Sequence, residues 1–155
     1  MPLTIREATP ADLTRLPELF DYNDVPAMIA ENTRRMTAGE YSIFLLLADA
    51  ALLGELHVTW RSDDMRFAAG GQRAYLSAFR IRRDIQGQGL GTHLLRGVIR
   101  CIETRGYNEI TVGVEDDNPR ARRLYERHGF CKAIARCREC YQGDEYEFDL
   151  LLRQR

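Results

Sequence analysis

Seven residues near the middle of the chain, Gln86-Gly87-Gln88-Gly89-Leu90-Gly91-Thr92, have the types and spacing most suited to chemistry. Between a strand and a helix, the successive amides from Gln88 to Thr92 can converge on one concavity at the positive end of the helix, which suits a phosphate or pyrophosphate. Glycines at 87, 89 and 91 let the backbone approach a ligand closely and take unusual φ angles. Read alone, the same run also makes a tight strand-to-helix turn. Other phosphate loops fit less well. A P-loop requires Gly-Lys followed by Ser or Thr, and no lysine precedes Lys132. A dinucleotide fingerprint has longer glycine spacing and usually follows a first strand, whereas here three strands come first. Cys137 and Cys140 form a lone C-x-x-C, but a structural zinc needs a second ligand pair, and His57, His93 and His128 are scattered far from it. No metal site is read from this pattern.

The elements that must position the loop belong to a chain of 155 residues, 45% hydrophobic, which suits one domain spanning 1–155. Charged residues make up 29% and nearly cancel at a net charge of -1, which argues against a nucleic-acid partner. Lys132 is the only lysine among 22 basic residues, an arginine excess that reads as codon bias in a GC-rich genome, although guanidinium groups also suit phosphate contacts. The absence of a secretory pattern and the shortness of the apolar run Ile43 to Ala48 point to a cytoplasmic protein with no membrane span and with reduced thiols.

Leu3 to Ala8 alternates like a strand, and Thr9 to Asp12 opens a helical pattern carried by Leu13, Leu16, Leu19 and Phe20. A second helix is expected over Val25 to Met36. Ile43 to Ala48 and Leu52 to Trp60 read as an antiparallel hairpin turning near Asp49, with a loop over Asp63 to Gly71 beyond it. Ala74 to Ile81 is a strand leading into the glycine loop. Leu90, Leu94, Leu95, Val98, Ile99 and Ile102 then share one helix face that Gly106 terminates. Ile110 to Val114 is a strand. Asp117-Asn118-Pro119 starts a helix ending at Gly129, with Asn118 as its cap. Phe130 to Arg138 and Glu145 to Leu152 close as a hairpin around Gln142-Gly143-Asp144. The order β-α-α-β-β-β-α-β-α-β-β calls for an α/β (α+β) fold: a mixed central sheet of about seven strands, helices on both faces, and a parallel right-handed unit in the middle.

The stretch from Phe79 to Gly91 resembles the GNAT superfamily of N-acetyltransferases, whose signature after a strand is Gln/Arg-x-x-Gly-x-Gly/Ala. A second block, with Asn118, Ala121, Leu124-Tyr125-Glu126 and Gly129-Phe130, resembles the family's downstream pattern in the expected order. Arg83 departs from it, since relatives often have proline there. The resemblance implies acetyl-CoA as cosubstrate. It also implies that Phe79, Arg80 and Ile81 offer backbone groups to the pantetheine arm, and that Gln86, Gly87, Gln88, Gly89, Leu90, Gly91 and Thr92 wrap the pyrophosphate. Asn118 would touch the pantetheine, and Tyr125 would stand near the sulfur. Each has a plainer alternative, Asn118 as a helix cap and Tyr125 as a core aromatic.

Direct acetyl transfer to an amine needs a neutral nucleophile, polarisation of the thioester oxygen and protonation of the departing thiolate. Tyr125 is the candidate for the last role. The strand before the loop carries no carboxylate, and the next strand has Gly113 where some relatives place an acid. Glu55 and Glu115 are the candidate bases, with a water chain as the alternative. The acceptor amine, small-molecule or protein-borne, is expected near the first two helices and the final hairpin. A non-catalytic acyl-CoA-binding module is the competing function, and a homodimer stays open.

Overall fold

The computed structural model describes residues 2–155. Seven strands form one sheet in the order β1-β2-β3-β4-β5-β7-β6: β1 (Leu3–Glu7), β2 (Tyr41–Ala48), β3 (Ala51–Thr59), β4 (Arg73–Ile81), β5 (Glu109–Glu115), β6 (Lys132–Tyr141) and β7 (Asp144–Gln154). All pairings are antiparallel except β4 with β5. The α-helices are α1 (Val25–Thr37), α2 (Leu90–Thr104) and α3 (Pro119–Arg127).

Tyr41 to Ala48 is buried throughout because both faces of β2 are covered. Ile43, Leu45 and Leu47 pack with Leu13, Leu16 and the apolar side of α1. Phe44, Leu46 and Ala48 turn the other way, onto Leu94, Leu95, Val98, Ile99 and Ile102 of α2. Each fully buried leucine in these layers contributes about 1.5–3 kcal/mol. The sheet is thereby the partition between two helical layers.

One element differs from the sequence expectation. Pro10–Glu18 is a 3-10 helix, not an α-helix. Pro17 lies inside it and has no N–H to give to an α-type ladder, so the tighter turn is kept. Thr9 and Asp12 cap its start reciprocally, and Arg6 holds the Asp12 carboxyl well below the usual carboxylate range by hydrogen bonding.

Two irregularities shape the middle of the sheet. β4 pairs with β5 only from Arg73 to Leu76, after which the two parallel strands diverge. Toward β3, Arg80 opposes Glu55 and Ser77 opposes His57, so Ala78 and Phe79 together face the single residue Leu56. This is a β-bulge, and Ala78 takes a left-handed φ of 49° within it. The expected final hairpin turns at Gln142 and Gly143, both at positive φ. Its tip reaches across the sheet, where the Asn23 amide donates to Oε1 of Gln142 at 2.9 Å.

Candidate active site

Three hollows meet around the bulge of β4. The first, about 520 Å³, lies between the glycine loop and α3. Gly87 and Gly89 have φ of 83° and 79°, a region that costs other residues about 1–2 kcal/mol, and Gly89 caps α2. Neither would bring a Cβ within 4 Å of another group, so their missing side chains leave the hollow open. Gly91 is the first-turn helical residue that faces Phe79. Nε2 of Gln86 donates to the Ile81 carbonyl at 3.0 Å and ties the loop to the end of β4. Gln86, Gly87, Gly89, Leu90, Gly91 and Thr92 all line this hollow, while the Gln88 side chain is exposed outside it.

Asn118 lines the opposite wall. It caps α3 by accepting from the Ala121 amide at 3.1 Å, so the cap reading and a place in the cleft hold together. Beside it, Arg120, Arg123 and Arg127 line the same hollow, and among the described residues none forms an ion pair with a carboxylate. Sequence reasoning missed these three arginines, although their spacing of three and four places them along one side of a helix. With the free amides at the start of α2, they give the cleft a positive rim.

The second hollow, about 220 Å³, is the wedge where β4 and β5 separate. Phe79 lines both this wedge and the loop hollow. Tyr125 stands in its wall, 7% exposed, with its ring packed near Phe79 and Phe130. Its hydroxyl makes no hydrogen bond to the protein, and burial pushes its pKa up to about 12. A phenol held protonated in this way can donate. Glu115 lies exposed at the far end of β5 on the same wedge. A side chain at Gly113 is excluded, because a Cβ there would come within 2.7 Å of the Phe148 ring.

The third hollow, about 1010 Å³, opens on the α1 face between the start of α1 and the β6–β7 hairpin. Tyr75, Ser77, Ala78 and Tyr146 line both it and the wedge, so the three spaces connect in series. The Arg80 side chain points here, away from the loop. It donates to the Tyr22 hydroxyl at 2.9 Å and lies over the Phe20 ring at 3.6 Å.

Glu55 lies beneath this hollow, not in its wall. It is 0% exposed, hydrogen-bonded to Nε2 of His57 and accepting from the Tyr22 hydroxyl at 3.3 Å. His57, 3% exposed, does line the hollow, and its Nδ1 meets the Tyr41 hydroxyl at 2.5 Å. Sequence reading weighed His57 only as a metal ligand. The available signal was the alternation Glu55, His57, Thr59 against Leu56 and Val58, which puts the polar residues on one face. Cys137 and Cys140, three apart on β6, fall on opposite faces of that strand.

The sequence profile described as the Acetyltransferase (GNAT) family matches residues 9–130, and the chain belongs to that family. Over 60 residues the chain is 37% identical to N-alpha-acetyltransferase 30 of Schizosaccharomyces pombe, a match covering 39% of this chain and 40% of that relative's length. Solved structures share the whole fold at low identity. A spermidine N-acetyltransferase chimera from Vibrio cholerae has a TM-score of 0.77 at 18% identity, covering 99% of this chain and 96% of the other. The ribosomal-protein-alanine N-acetyltransferase of Brucella melitensis gives 0.76 at 18%, covering 98% and 99%. A family member from Elizabethkingia anophelis, solved with acetyl-CoA bound, gives 0.68 at 17%, covering 99% and 98%. Among the described residues no helix is long and apolar enough to cross a membrane.

Proposed function

We propose that the chain is a cytoplasmic, acetyl-CoA-dependent N-acetyltransferase that moves an acetyl group to a primary amine by direct attack on the thioester. The carrying observation is the series of connected hollows. The first offers the free amides of α2 and three unpaired arginines to a polyphosphate. The wedge, about 220 Å³, offers a slot to the end of an extended thiol arm, and beyond Leu76 the β5-facing edge of β4 has no ladder partner to compete for its backbone groups. Phe79, Arg80 and Ile81 supply those groups, with Asn118 across the cleft. The third hollow admits an acceptor to the same point from the opposite face.

In this reading the amine attacks the thioester carbon near Ala78. The carbonyl oxygen is met by a β4 amide freed by the divergence, and Tyr125 donates its proton to the leaving sulfur. The acceptor class is a primary amine, on a small molecule or a protein. The S. pombe relative is named as an N-alpha-acetyltransferase and the V. cholerae chimera as a spermidine N-acetyltransferase. The test is acetyl-CoA turnover across a panel of polyamines, amino-acid amides and N-terminal peptides, read as acceptor-dependent thiol release. Release with one class identifies the acceptor. Tight acetyl-CoA binding with no release for any amine would make the chain an acyl-CoA-binding module instead.

A further inference from the structure

The acetyl-transfer reading leaves unassigned how the amine loses its proton, since neither carboxylate singled out in the sequence is well placed. Glu115 is exposed at the strand end, and Glu55 is sealed under the acceptor hollow. Tyr41 and His57 line the acceptor hollow on its β2 and β3 side. The Tyr41 hydroxyl meets Nδ1 of His57, and Nε2 of His57 meets Oε1 of Glu55. Tyr41 lines the acceptor hollow and neighbours Ser77, which lines both that hollow and the wedge.

The polarity of this chain is set at its buried end. A carboxylate only accepts hydrogen bonds, so the ring proton of His57 resides on Nε2, and Nδ1 is left to accept from Tyr41. Tyr22 donates to the same Oε1 of Glu55, and the Arg80 guanidinium stands 3.7 Å from Oε2. From α1, the Arg35 guanidinium lies 3.9 Å over the Tyr41 ring, and Tyr75 of β4 lies nearby. Burial drives the Tyr41 phenol up to about 12, against the pull of Ser77, Arg35 and Arg80. A phenol so held keeps its proton near neutral pH, so it can take a proton from an amine only as it passes its own to a partner.

We propose that Tyr41, His57 and Glu55 form a proton relay that deprotonates the acceptor amine, with Tyr41 as the catalytic residue and His57 and Glu55 as positioning residues behind it. The inference rests on the acetyl-transfer reading above. An entering ammonium group passes one proton to the Tyr41 oxygen while the Tyr41 proton moves to Nδ1 of His57, producing an imidazolium paired with the Glu55 carboxylate. The neutral amine then forms the C–N bond as the C–S bond breaks; Tyr125 gives its proton to the thiolate and takes the amine's second proton in its place. The relay returns its proton to water in the open hollow after the product leaves, so each turnover releases one proton. Glu55, 0% exposed, is sealed from solvent and meets only protein groups at the buried end of the chain.

The experiment compares Tyr41→Phe, His57→Gln and Glu55→Gln with the parent, measuring kcat and kcat/KM for the best amine between pH 6 and 10 and acetyl-CoA affinity by calorimetry. Tyr41→Phe and His57→Gln should each lower kcat about 100-fold near neutral pH, with acetyl-CoA affinity unchanged. Their rates should climb with pH toward the acceptor's own pKa, because only amine already neutral in solution can react. The double variant should be no worse than either single one. Tyr41→Phe removes one oxygen and keeps the ring, so it remains informative if the His57 variant fails to fold. Retention by Tyr41→Phe of the parental pH profile with kcat within threefold, or a loss confined to acceptor KM, would overturn the relay while leaving the acetyl-transfer reading intact. A parent enzyme that transfers to no amine would sink that reading itself.

Discussion

Gly89 offers the sharpest test of the anion cleft, because its side-chain direction points into empty space and its backbone is left-handed at φ 79°. Gly89→Asn and Gly89→Asp introduce side chains of nearly equal size, and both residue types tolerate this conformation better than most. Each should lose about 1 kcal/mol of folding stability from the φ preference, seen as a similar drop in Tm. Any difference between them in ligand binding is then the charge. A carboxylate about 5 Å from a bound phosphate, at an effective dielectric of about 20–40, is opposed by roughly 2–3 kcal/mol per unit charge. That corresponds to an acetyl-CoA Kd weaker by roughly 30- to 150-fold for Asp than for Asn. Calorimetric titration at low and high salt reads it directly, and the gap should shrink as salt screens the pair. Equal Kd values for the two variants, or a gap indifferent to salt, would show that no phosphate lies at the start of α2.

Tyr125→Phe keeps the ring contacts with Phe79 and Phe130 and removes a hydroxyl that bonds to nothing in the protein. Its stability and acetyl-CoA Kd should stay near the parent's while kcat falls by about 10- to 100-fold; a weakened Kd at full kcat would remove Tyr125 from the acid role. The buried phenols also predict alkaline lability. Desolvation raises Tyr41 and Tyr125 to about 12, and Tyr22 and Tyr75 higher still. Because the folded values exceed the value of about 10 for an unfolded phenol, the unfolded chain releases protons first. Stability should therefore be intact below about pH 10 and fall as pH rises through about 12. Tyrosinate absorbance of these residues should appear together with loss of near-UV dichroism, and gradual titration in a folded protein would contradict their burial.

Much of this architecture was legible because its signals are local. Alternation located the strands, Gly106 and Gly129 marked helix ends, and Gln142-Gly143 marked the last turn at two positive φ angles. The glycine loop was legible for the same reason: its conformation is set within a few residues. What escaped depended on partners distant in sequence. The pattern of Glu55 and His57 states that they share a face, but not that Tyr22, Tyr41 and Arg80 cover it, and a covered polar face reads the same as a wet one. Arg120, Arg123 and Arg127 share one side of a helix, but nothing in their spacing says that the glycine loop lies opposite them. The 3-10 geometry of Pro10–Glu18 turned on Pro17, whose effect is to choose between two helices sharing one apolar pattern.

The insertion of β7 between β5 and β6 has a consequence for how the molecule is made. β5 is held on one side by only four residues of β4, Arg73 to Leu76, and on the other by β7 along its full length, Glu109 opposite Gln154 through Glu115 opposite Phe148. While a ribosome is still translating Asp144–Gln154, the nascent polypeptide already contains the glycine loop and every helix, yet one wall of the wedge has no firm neighbour. Vectorial synthesis therefore delivers the glycine loop before the strand that completes the wedge. Until β7 pairs with it, β5 keeps one open edge, an aggregation hazard.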